Sequence, residues 1–195
     1  MITALSSLSV LQIATIGHVL GVVLGMGSAF VADVLLPRFA KKGSFAESDV
    51  ATVRIVSAMV WAGLGVIVIA GGIIFLQDMD RYLASDKFAA KMTVVAVLIL
   101  NGVVFHFVHL PILARSVGLP FSQSAEFMRN RAYLVASGAI SIVSWLFAFL
   151  LGSLGRGAYD YWDIMGWYGA VLLAALIVSF FMTDRGFPAA PTTPP

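Results

Sequence analysis

The sequence predicts an all-α protein, a polytopic transmembrane bundle of five helices. Three observations predict it. Of the 195 residues, 60% are hydrophobic and 11% charged, against about 25% charged in soluble domains. The apolar residues gather into five runs, each near the ~20 residues a helix needs to cross a bilayer. Short polar segments separate these runs. The chain reads as one domain over 1–185, followed by a Pro-rich, uncharged tail at 186–195 that is expected to be disordered.

The first span is expected at about 6–36. Residues 1–37 contain no Lys or Arg, and the apolar run from Leu8 to Leu36 is longer than the core of a signal peptide. It is therefore read as a retained helix. Gly17, Gly21 and Gly25 recur at four-residue spacing and Ala29 continues the stripe. Such a stripe lets another helix, or a flat ligand, approach at backbone distance. The second span is expected at 52–77 and the third at 89–114. The fourth, 132–154, carries Ser137, Gly138, Ser141 and Ser144 on one face, a small and weakly polar packing surface. The fifth, 162–183, opens in Tyr159, Tyr161, Trp162, Trp167 and Tyr168, which predict an interfacial aromatic belt.

Five spans place the two ends on opposite sides. Eight of the 12 Lys and Arg residues then fall on the side of the first and third connections and the tail. The positive-inside rule predicts the N-terminus outside and the C-terminus in the cytoplasm of an inner (plasma) membrane. A net charge of +2 without a basic run gives no reason to expect nucleic acid. The absence of cysteine excludes disulfides and thiolate metal sites within the chain. No phosphate-binding loop, Ser–His–Asp set or carboxylate pair is present, so hydrolysis is not expected.

The chemistry concentrates in the third span. Met92 to Leu113 is almost wholly apolar, yet holds Asn101, His106 and His109, with Lys91 at its entrance. Polar groups in hydrocarbon are costly and mark function. On a straight helix these residues share an arc of roughly 140°. The third histidine, His18, lies in the first span beside the glycine stripe. Counting ~1.5 Å per residue from the outer ends puts His18 ~18 Å deep, His106 ~25 Å and His109 ~30 Å. Histidines on two helices at similar depth are a common way to hold haem b. His18 and His106 are therefore the expected axial ligands, with His109 as the nearest substitute. Gly21 and Gly25 would leave room for the porphyrin plane. Arg38 and Arg54 would neutralise its propionates or hold lipid phosphates, unless Arg54 pairs with Asp33. Lys91 and Asn101 complete the candidate cofactor-binding set. The bland alternative is that each histidine bonds a serine or a carbonyl across the bundle.

The order of these motifs resembles a known group. GHVLGVVLGMG (17–27) ends in LLPRF (35–39), followed by VSAMVWAGLGVIVIAGG (56–72) and KMTVVAVLILNG (91–102). This is similar to the small bacterial membrane proteins grouped with the haem-dependent protoporphyrinogen oxidase and the copper-resistance D family. The resemblance covers about the first 115 residues. It implies His18 as a haem ligand and Arg38 and Lys91 as functional polar residues. The Pro-Arg lies further from the histidine than in that pattern, and no histidine follows it.

The expected function is a b-type cytochrome or the haem-bearing subunit of a membrane redox complex, with the bilayer and a quinone or redox subunit as partners, in a homo- or hetero-oligomer. The alternatives are a cofactor-free anchor or assembly subunit and a porphyrinogen-oxidising enzyme.

Overall fold

In the computed structural model the chain is described over residues 9–155, 157 and 159–186. The predicted tail beyond Gly186 lies outside the described residues, as do the first residues of the predicted first span. Among the described residues there is no strand, and five helical spans are long and apolar enough to cross a membrane. They are α1 (Val10–Ala40), α2 (Glu47–Leu76), a third span Asp86–Arg115, α6 (Ala125–Ser153) and α7 (Tyr161–Gly186). A short helix, α3 (Met79–Leu83), joins the second and third. The third span is composite: α4 (Asp86–Val104), a π-turn at Phe105–His109, and α5 (Leu110–Arg115).

Most helices outrun the apolar stretches that predicted them, because polar turns complete their ends. Ser9 and Gln12 form a reciprocal capping box on α1, with bonds of 3.2 and 2.8 Å. Asp49 accepts from the Ala46 amide at 3.1 Å and from Lys42 Nζ at 2.7 Å, which starts α2 before its apolar run. Ser85 caps the third span through the Phe88 amide. Helix α6 begins seven residues earlier than predicted, its first turn tied to α5 by the Arg115–Glu126 pair at 2.6 Å.

The closest packing is between α1 and α2. A Cβ on Gly63 would stand 2.5 Å from Gly25 N and 2.6 Å from Gly25 Cα. A Cβ on Gly21 would meet the Gly63 carbonyl at 3.0 Å, and one on Gly25 would meet Trp145 of α6 at 2.6 Å. Gly21 and Gly25 therefore hold helix against helix and leave no slot for a porphyrin. This corrects their expected role in cofactor binding. The antiparallel register set at Gly25–Gly63 brings Asp33 of α1 within about a turn of Ser57 of α2.

On the face carrying the first and third connections, the two loops clasp each other. Gly118 N–H donates to Phe45 O and Phe121 N–H to Gly43 O, both at 2.9 Å. Gly43 (φ 80°) and Gly118 (φ 74°) supply the left-handed turns this needs. Phe45, Phe121 and Phe127 pack beneath with ring centroids 4.7–5.3 Å apart and close that end of the bundle. At the opposite face, Trp162 and Trp167 are 77% and 72% exposed, as a belt requires. Tyr168 leaves the expected belt: it is 4% exposed and its hydroxyl lies 2.9 Å from Ser144 Oγ, fixing α7 to α6.

The glycine contact yields a paired prediction. Gly63→Ala must part α1 from α2 and is expected to cost about 1–3 kcal/mol. Gly65→Ala, where an added Cβ meets nothing within 4 Å, is expected to leave stability near wild type. Reversible unfolding in mixed detergent micelles measures both; equal stability of the two variants would show that the contact is loose.

Candidate functional site

Four helices bring polar side chains to one place. Asp33 of α1, Ser57 of α2, Asn101 of α4, and Ser137 and Ser141 of α6 line a cavity of ≈ 70 Å³ in the half of the bundle nearer the clasped loops. Each sits in an otherwise apolar stretch, so each needs an internal partner. Asn101 and Ser137 satisfy each other across the α4–α6 contact. The Asn101 amide donates to Ser137 O at 3.0 Å, and Ser137 Oγ donates to Asn101 Oδ1 at 2.9 Å.

Asp33 is different. Its Oδ1 would lie 3.1 Å from a Cβ on Gly138, so the missing side chain of α6 makes room for the carboxyl group. Its Oδ2 is buried and has no hydrogen-bond partner among the described residues. The expected Asp33–Arg54 pair does not form. Among the described residues the ion pairs are Lys42–Asp49, Arg81–Asp78 and Arg115–Glu126. Arg38 and Arg54 are exposed. No second charged side chain lines the cavity among the described residues. An isolated carboxylate in such a setting is costly. A proton, water or a small cation on the free oxygen removes that cost, and ≈ 70 Å³ has room for about two waters.

Apolar clusters flank the cavity toward both ends of the bundle. Ala29, Leu64, Leu98 and Trp145 form a buried apolar layer on the side away from the clasped loops. The cluster built on Phe45, Phe121 and Phe127 lies on the other.

The histidines do not converge. His18 Nδ1 lies 3.2 Å from Ile67 O, and its ring fills the space left by Gly71, 3.3 Å from where a Cβ would stand. His106 Nδ1 lies 3.4 Å from Ser57 Oγ. Ile67 and Ser57 are both on α2, ten residues apart, which separates the two imidazoles by about 15 Å along the helix. Axial nitrogens of one metal stand roughly 4 Å apart, twice a metal–nitrogen bond. The expected His18–His106 pair therefore cannot ligate one haem within a single chain. The depth estimate failed because α1 runs further toward the clasped face than its apolar stretch indicated. His109 is 4% exposed, with its ring centroid 6.1 Å from that of Phe105. Lys91 lies half-buried against Gly152 of α6, away from the cavity. Among the described residues no three His, Cys, Asp or Glu side chains group as a metal site.

A π-turn interrupts the polar arc at its histidine end. The Leu110 amide bonds to Phe105 O, five residues back, so one extra residue enters the turn and changes the phase of all that follows. Asn101, which precedes the turn, faces α6, and His106, about 140° round from it even on a straight helix, faces α2. The cavity's leading residue, Asp33, had a signal in the sequence: it is an acid inside an apolar run, seven residues from the end of α1. Ser57 had none, since a serine in a span usually bonds its own helix or packs. Comparison with protein families, curated proteins and solved structures gave no match, so the site is read from its own chemistry.

Proposed function

We propose that this chain is a proton-handling protein of the inner membrane, in which Asp33 takes up and releases a proton inside the bilayer. Sites of this kind couple proton movement to transport or to a redox reaction in a membrane complex. One observation carries the reading: a buried, unpartnered carboxyl oxygen in a mainly apolar cavity whose other polar lining groups are neutral. Difference infrared spectroscopy across a pH titration tests it. Wild type should show the carbonyl stretch of a protonated carboxylic acid, and Asp33→Asn should lose it. Identical spectra would sink the proposal.

A second reading rests on His18. Its Nδ1 is positioned to donate to the Ile67 carbonyl, the arrangement that leaves Nε2 with a lone pair for a metal. A haem held there would take its other ligand, if any, from a second subunit, because His106 is out of reach. The redox-complex function, with a quinone or redox partner, survives in that form. An optical spectrum of the purified protein tests it. A Soret band present in wild type and lost in His18→Ala supports it; a protein without visible absorbance supports the cofactor-free alternative.

The orientation proposed is N-terminus outside and C-terminus cytoplasmic, so the clasped face is the cytoplasmic one. The excess of Lys and Arg on that face supports it. A reporter fused after Pro195 should be active only on the cytoplasmic side, and one inserted in the 153–163 connection only outside.

A further inference from the structure

Apolar clusters flank the Asp33 cavity toward both ends of the bundle. One polar link leads sideways from it. Ser57 lines the cavity, and its hydroxyl also lies 3.4 Å from Nδ1 of His106, at the long end of hydrogen-bond range. His106 sits in the π-turn that follows the cavity-lining Phe105. Single π-turns inside α-helices occur often at functional sites. His106 is half-buried and stands beside the exposed Phe107.

We propose that His106 is the proton carrier for the Asp33 cavity and that Ser57 is the bridge between them, an inference that rests on the reading of Asp33 above. The imidazole takes a proton at Nε2 from a hydronium ion that reaches its less buried side, leaving water behind, and gives its Nδ1 proton to the Ser57 oxygen. The Ser57 hydroxyl releases its own proton across the cavity, through water, to Asp33 Oδ2. One proton moves, the imidazole returns to neutral, and the carboxylate becomes a carboxylic acid. The ring need not rotate, because uptake and release use different nitrogens.

The groups that bear on His106 are few. From α1 there is Asp33 itself, and from α2 the exposed Arg54, one turn from Ser57. Its own span adds His109, which makes a ring contact with Phe105 and no hydrogen bond to the cavity. The charged residues of α6, Glu126, Arg129 and Arg131, all lie in its first two turns. His109 is the competing carrier, since it too lies on the cytoplasmic side of the cavity.

The test is the rate at which the infrared band of protonated Asp33 appears after a rapid drop in pH, in the full chain reconstituted in lipid. Ser57→Ala and His106→Gln should each slow it about tenfold or more, with the final band amplitude unchanged. The double variant should be no slower than the slower single, because both act on one route. His109→Gln should match wild type. The unchanged amplitude shows that the variants fold and that Asp33 still binds its proton. Wild-type rates in both Ser57→Ala and His106→Gln overturn the relay alone, as does slowing by His109→Gln only. Absence of the band in wild type overturns the Asp33 reading and the relay with it.

Discussion

The backbone contact between Gly25 and Gly63 is the constraint on which the rest of the bundle depends. Without side chains at this crossing, α1 and α2 approach until a single Cβ would collide with the facing backbone. Membrane helices have little hydrophobic drive to associate, so such close van der Waals contact supplies much of their attraction. It also fixes register. With Gly25 opposite Gly63, Asp33 falls near Ser57, and His18 falls level with Ala70, beside Ile67 and Gly71. The same notch receives the Trp145 ring, which brings α6 onto the pair and builds the apolar layer above the cavity.

Once that register is set, the polar residues have few choices. Asn101 and Ser137 complete each other. His18 finds a carbonyl and Ser144 finds Tyr168. These bonds satisfy groups that hydrocarbon cannot, and they tie α4 and α7 to α6. Asp33 has the carboxyl group left over. Gly138 makes space for it and no base answers it. Asp33 Oδ2 is the one buried side-chain nitrogen or oxygen without a hydrogen-bond partner among the described residues, the kind of exception that calls for an explanation.

Two apolar layers flank the Asp33 cavity. The Trp145 layer lies between helices held by glycine contacts and is a fixed part of the core. The phenylalanine floor joins Phe45 and Phe121 of the clasped loops to Phe127 of α6 and to helical residues such as Val53, Leu113 and Leu134.

The sequence by itself determined the class of protein, the number of spans and their approximate limits. Those follow from the cost of taking backbone and charge into hydrocarbon, which acts on each segment alone. It also marked the residues that matter, because an intramembrane Asp, His or Asn is expensive wherever it sits. It did not determine which of them meet. On a straight helix Asn101, His109 and His106 span an arc of roughly 140°; the π-turn at Phe105–His109 changes the phase between the two histidines, and nothing in FHFVH announces it. Counting from apolar boundaries placed His18 near His106; the glycine register put them about 15 Å apart. The glycine stripe was visible, but whether it met a cofactor or a helix depended on Gly63, on another span. Partnership across helices is decided by register and phase, and a shift of a few residues in either exchanges one set of neighbours for another. Only the packed bundle fixes both.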